Sequence, residues 1–70
     1  MYKTLTVPIL GSMIKERRRK QGLTQEQLAA FSGVGLRFLR ELEYGKESAH
    51  IGKALQVIEM LGLTVKIQER

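Results

Sequence analysis

The 70-residue chain contains no cysteine, no tryptophan and no aspartate; all seven of its acids are glutamate. Without cysteine it can form no disulfide, present no thiolate nucleophile and hold no thiolate-ligated zinc. Its one histidine, His50, stands between Ala49 and Ile51, which offer nothing to polarise it. No glycine-rich phosphate loop of the usual spacing appears. Tyr2 and Tyr44 are too few to stack the bases of a single strand. No apolar run approaches the ~20 residues that a membrane span needs. Lys3 is followed by no long apolar segment of the signal-peptide kind. We therefore expect a cytoplasmic protein that is not an enzyme, with no cofactor, metal or evident small-molecule ligand.

What is present is positive charge. Lys plus Arg is 12 against 7 acids, a formal net charge of +5. That balance points to a polyanionic partner, nucleic acid first and an acidic membrane second. Apolar residues make up 43% of the chain, a globular composition. The length fits one domain, residues 1–70. A domain of this size buries only ~60% of its unfolded surface, so help from a second subunit is expected.

Periodicity predicts four helices and a strand. Residues 2–7 are β-branched and read as extended or as a short strand. Pro8 suits a first helical turn, with Thr6 or Val7 as cap. Leu10, Met13, Ile14 and Arg17 follow at helical spacing, and Gly22 ends a helix over about 8–21. The basic run Arg17-Arg18-Arg19-Lys20 complements the helix dipole there; Arg17, Arg19 and Lys20 are also candidates for phosphate contact. Thr24 and Gln27 form a capping box for a second helix, 25–32, with Leu28, Ala29 and Phe31 on its apolar side.

After Gly33-Val34-Gly35, a third helix runs from Leu36 to Tyr44 and stops at Gly45. On a helical wheel Phe38, Leu39 and Leu42 share one side, and Glu43 lies toward it. Arg37, Arg40, Glu41 and Tyr44 share the other, with Leu36 on the boundary. Ser48 is the expected cap of a fourth helix, whose stripe is Ile51, Ala54, Leu55, Ile58 and Leu61. Met13 and Met60 read as core filler. His50 reads as an exposed first-turn residue, and Phe38 as core edge. From Leu63 the period changes to two: Leu63, Val65 and Ile67 alternate with Thr64, Lys66 and Gln68, a strand signal over 63–68. A lone strand is not stable in water. Its partner must be the N-terminal segment or the same strand of a second chain.

Two short helices joined by a tight turn, the second basic on its outer side, describe a helix-turn-helix over 24–45. The residues that carry the pattern are Gly22-Leu23-Thr24-Gln25, Leu28-Ala29, Gly33-Val34-Gly35, and Leu39, Leu42, Glu43, Gly45 and Lys46. Over about residues 9–61 this resembles the Xre type of bacterial and phage repressor, which includes the lambda and Cro repressors. The ending Leu61-Gly62-Leu63-x-Val65-x-Ile67 resembles the HipB-like branch, small dimeric antitoxins whose C-terminal strands pair between subunits.

The resemblance implies a mainly α, four-helix fold with a C-terminal strand. It places Gly35, Leu36, Arg37, Arg40 and Glu41 at positions that meet bases. Arginine can give guanine a bidentate pair, Leu36 can touch only a thymine methyl, and Glu41 can accept from cytosine or orient an arginine. Gln25, at a helix start where amides face a phosphate, matches a residue that bonds the DNA backbone and sometimes a residue of the recognition helix. Thr24, Tyr44 and Lys46 are further phosphate candidates. Arg18 and Glu43 match an architectural ion pair.

Two departures from the family pattern matter. Gly35 stands where relatives carry a Ser or Thr cap, and Arg40 where Ser is common, so the operator cannot be carried over. The expected function is repression through a palindromic double-stranded operator, bound by a homodimer whose Leu63, Val65 and Ile67 strands pair. Its half-sites would lie about 34–36 Å apart. The HipB-like match adds a HipA-like kinase toxin and an autoregulated toxin–antitoxin operon. Rival readings are a free-standing Xre-type regulator, a protein-interaction adaptor on the same scaffold, and a basic amphipathic membrane peptide. The basic recognition side argues against the adaptor, and the many cap and stop signals argue against the peptide.

Overall fold

The computed structural model describes residues 4–69. Among them four helices follow in order: α1 (Val7–Lys20), α2 (Gln25–Ser32), α3 (Leu36–Tyr44) and α4 (Ile51–Met60). No helix among the described residues is long and apolar enough to cross a membrane.

The caps explain where each helix begins. Thr6 Oγ1 accepts from the Ile9 amide at 3.3 Å, with Pro8 in the first turn of α1. The α2 capping box closes in both directions: Thr24 Oγ1 accepts from the Gln27 amide at 3.1 Å, and Gln27 Oε1 from the Thr24 amide at 2.9 Å. Such a cap stabilises a helix by ~1 kcal/mol. Gly35 opens α3 from an extended conformation with no side-chain cap. The α4 cap is His50, not Ser48: its Nδ1 accepts from the Lys53 amide at 3.3 Å. Ser48 lies in the turn ahead of the helix, where the Ala49 amide bonds the Lys46 carbonyl at 3.2 Å.

The core consists of Ile14, Leu28, Ala29, Leu39, Leu42, Ala54, Val57, Ile58 and Leu61. Each fully buried aliphatic side chain contributes ~1.5–3 kcal/mol. Phe38 packs at its edge, under the ammonium of Lys53. Several expected core residues lie outside it. Met13 and Met60 are about half exposed, as is Phe31. The inner side of α1 is Gly11, Ile14 and Arg18, which turns Met13 outward. The inner stripe of α4 is Ala54, Val57, Ile58 and Leu61, which leaves Ile51 and Leu55 exposed.

Two glycines set the spacing of α1 and α3. A Cβ on Gly11 would sit 2.3 Å from the Leu42 carbonyl oxygen and 2.8 Å from that of Glu43. The two backbones therefore touch, and no side chain fits between them. Gly45 ends α3 at φ +95°, with its Cβ position 2.8 Å from Pro8 Cα. Side chains complete the frame at the other end of α1: Arg17 Nε and Gln21 Nε2 both donate to the Leu61 carbonyl, at 3.1 and 2.9 Å. Arg17 is thereby engaged in joining α1 to the end of α4.

The expected strand over 63–68 is not formed. Residues 63–69 carry no regular secondary structure, and no strand occurs among the described residues. The Leu63 amide bonds the Ile58 carbonyl at 3.1 Å, finishing α4, and its side chain is half-buried against the core. Beyond it Val65 is half exposed and Ile67 is 95% exposed. The physical reason is the absence of a ladder: Thr6 is used as the α1 cap, and, among the described residues, 4–6 form no strand for 63–68 to pair with. Tyr2 and Lys3, part of the expected N-terminal extended segment, lie outside the described residues.

Candidate nucleic-acid interface

Helices α2 and α3, joined through Gly33, Val34 and Gly35, form the helix-turn-helix unit. Val34 packs against the core and fixes the turn. The inner side of α3 carries Leu39, Leu42 and Glu43. Its outer side carries Arg37, Arg40 and Tyr44, the last 90% exposed. Leu36 is half-buried at the boundary, and Gly35 is exposed. Arg40, Glu41, Tyr44, Gly45 and Lys46 line one groove at the end of α3.

Three charged groups on this side are bonded together. Arg37 Nε donates to Glu41 Oε1 at 3.0 Å, and the Lys46 ammonium donates to Glu41 Oε2. The Lys46 amide also bonds the Glu41 carbonyl at 3.0 Å. The Lys46 hydrogen bond, with help from Arg37 and against partial desolvation, holds the Glu41 carboxyl below the usual carboxylate range. Arg40 forms no ion pair among the described residues.

Beneath this surface lies a buried network. Arg18 on α1 and Glu43 on α3 are each 8% exposed. Arg18 Nε donates to Glu43 Oε2 at 2.7 Å and Nη2 to Oε1 at 3.0 Å, a bidentate pair. Arg18 Nη1 donates to the Leu23 carbonyl at 2.9 Å, so the same guanidinium holds the entry to α2. The hydrogen bond to Glu43 outweighs burial and raises the Arg18 pKa. Gln25 Nε2, at the first position of α2, donates to Glu43 Oε1 at 3.1 Å.

The second amide proton of Gln25 and its backbone N–H, at the first position of α2, make no hydrogen bond among the described residues. Thr24 is exposed beside it. The hydroxyl of Thr24 accepts within the capping box and still has its proton to donate.

The bond from the Gln25 position to the recognition helix, which the resemblance implies for some relatives, runs here to Glu43. Glu41 orients an arginine, one of its two expected roles, and that arginine is Arg37 at i, i+4. Its second engagement, with Lys46 beyond the helix end, escaped sequence reading.

Residues 14–67 match the helix-turn-helix family model. The chain is also 44% identical over 68 residues to the uncharacterised HTH-type transcriptional regulator y4mF of Sinorhizobium fredii, which spans 96% of this chain and 90% of the relative. The chain belongs to the Xre-type helix-turn-helix family of DNA-binding transcriptional regulators. A second regulator of this type from the same organism, y4dJ, is 32% identical over 56 residues, 80% of this chain and 73% of the relative.

The fold of this Xre-type regulator is that of HipB. A HipB–O4 20mer complex superposes with a TM-score of 0.85 at 19% identity, covering 99% of this chain and 97% of that one. HipB in a HipA–HipB–O2–O3 complex gives the same values. At that identity the likeness establishes architecture only.

Proposed function

We propose that this regulator binds a palindromic double-stranded operator as a homodimer and represses transcription from it. The observation that carries the proposal is the exposure of Arg37 and Arg40 on the outer side of α3, the second helix of the motif. In this reading Gly35, Leu36, Arg37 and Arg40 meet base edges in the major groove. Thr24, Gln25, Tyr44 and Lys46 hold phosphates and fix the register.

The second subunit docks through apolar residues that the single chain leaves outside. Val65 and Ile67 alternate along the tail, and Leu5, Ile9 and Met13 are exposed near the start of the chain. An intermolecular pairing of residues 63–68 would supply the ladder that one chain lacks. Light scattering tests this directly: the wild type is expected to be a dimer, and Val65→Lys with Ile67→Lys a monomer.

The regulator further acts as the antitoxin of a HipA-like kinase and represses their shared operon. The shared fold with HipB, a protein solved in a HipA–HipB–O2–O3 complex, supports this reading. The experiment is co-expression with the products of the adjacent genes. A stable complex with a kinase-like product supports it; a neighbourhood with no such gene leaves a free-standing repressor.

Base reading has its own signature. Arg37→Ala is expected to weaken operator binding by ~1–3 kcal/mol and relax the sequence requirement at one position. Lys46→Ala is expected to weaken binding to all sequences alike and reduce the salt slope by ~1.

A further inference from the structure

Glu41 is unusual among the residues of the DNA-facing side because it is the wrong sign for a polyanion. A carboxylate there repels phosphates, so it must act on something else. Each of its oxygens already accepts from a cation, Oε1 from Arg37 and Oε2 from Lys46. The carboxylate is also the less exposed member: its side chain is 31% exposed, against 91% for Arg37 and 52% for Lys46. It sits below the two cations and draws them together.

The atom that Arg37 uses matters. Its bond runs through Nε, the inner edge of the guanidinium. The two Nη groups make no hydrogen bond among the described residues, and together they offer the paired donors that the O6 and N7 of guanine accept. The long side chain loses rotamer freedom before any DNA arrives, which lowers the ordering cost of binding. The Lys46 side chain is tied to the same carboxylate, and its backbone amide to the Glu41 carbonyl. One residue thus fixes a candidate base reader and a candidate phosphate contact relative to each other.

We infer that Glu41 is a specificity-determining positioning residue, which reads no base itself but aims Arg37 and restrains Arg37 and Lys46 from binding DNA of any sequence. This rests on the DNA-reading function proposed above. Glu41 offsets one of the two positive charges it holds. Losing that carboxylate makes the face more attractive to every duplex and less selective between them. The depressed pKa of Glu41 agrees with a carboxylate that stays ionised throughout the neutral range.

The test uses two duplexes, one selected from a random library by the wild-type protein and one scrambled. Wild type, Glu41→Gln, Arg37→Ala and the double variant are titrated against both over a salt series. Glu41→Gln is expected to bind the scrambled duplex more tightly, with a salt slope steeper by about one. Its ratio of selected to scrambled affinity is expected to fall about tenfold or more. In the Arg37→Ala background, adding Glu41→Gln is expected to leave that ratio unchanged, because the aim of Arg37 is what it controls.

Additive losses in the double variant would overturn the inference and make Glu41 a base reader. Unchanged scrambled-duplex binding in Glu41→Gln would also overturn it. A wild-type protein from which no preferred duplex can be selected would overturn the function proposed above instead. The scrambled-duplex slope would still decide whether Glu41 restrains the two cations. Thermal melts of each variant show whether a loss reflects unfolding, and Glu41→Asp, which keeps the charge but shortens the reach, is expected to keep the shallow slope while losing part of the selectivity.

Discussion

Gln25 and Arg18 meet on one carboxylate: the Gln25 amide donates to the same Glu43 oxygen, Oε1, that accepts from Arg18 Nη2. The first residue of α2 is thus bonded to α3 through the pair that joins α3 to α1. A side chain proposed to touch DNA is positioned by the buried frame rather than by its own helix.

Glu43→Gln is expected to cost ~3–5 kcal/mol, because it leaves the Arg18 charge buried without its counter-ion. Against a total stability of ~5–15 kcal/mol, that removes much of the fold. Urea unfolding measures it. Lys20→Ala, which breaks the exposed Lys20–Glu16 pair at 3.4 Å, is the control and should change stability by ~0.5 kcal/mol or less. Equal, small effects from both would mean that the Arg18–Glu43 pair is solvated in solution.

Gly11→Ala forces a methyl group against two backbone carbonyls that cannot rotate away. The expected loss is about 3 kcal/mol, at the upper end for overpacking. The α1–α3 distance must widen, so circular dichroism should retain helix while the melting temperature drops. A variant as stable as the wild type would show that the two helices are further apart than described.

Ser32 is the converse case. Its Oγ is buried with no hydrogen-bond partner among the described residues. Ser32→Ala removes an unpaired hydroxyl and adds helix propensity, so a gain of ~1 kcal/mol is expected in urea unfolding. Loss of stability would mean that the hydroxyl is hydrogen-bonded in solution.

The Glu41 cluster makes stability depend on pH in a defined direction. Its folded pKa lies below its unfolded value, since Lys46 and Arg37 hydrogen-bond the charged form. The contribution is therefore complete above the ordinary carboxylate range and is lost as pH falls through the depressed value. The stability difference between wild type and Glu41→Gln should be constant from neutral pH down to that range, then shrink below it. High salt should reduce the difference at every pH, because the side chains are exposed. A difference that grows on acidification would contradict the assignment.

The helices were legible because each carries its own local signals. Thr24 with Gln27 and the glycines at 33 and 45 marked α2 and α3 to the residue. The wheel of α3 separated Leu39 and Leu42 from Arg37 and Arg40 because one side of that helix is apolar and the other charged. The fourth helix was placed less well. Ile51 and Leu55 share the stripe's period but not its buried side, and a period alone does not say which residues meet α2.

The buried role of Gly11 was not legible at all, since close approach of two backbones leaves no mark in composition. Leu63, Val65 and Ile67 have a period of two, yet a strand is a property of a pair, and no partner for residues 63–68 is present among the described residues. The bond from Gln25 to Glu43 joins residues 18 apart, a separation that no helical or strand period signals.

Fluorescence anisotropy with DNA from immediately upstream of the protein's own gene, against scrambled DNA over a salt series, puts the regulator reading to the test. A dyad-symmetric site bound at least ~10³-fold more tightly than scrambled DNA is the expected result. Equal affinity for both duplexes, falling steeply with salt, would mean that charge alone binds DNA and would contradict base reading by α3.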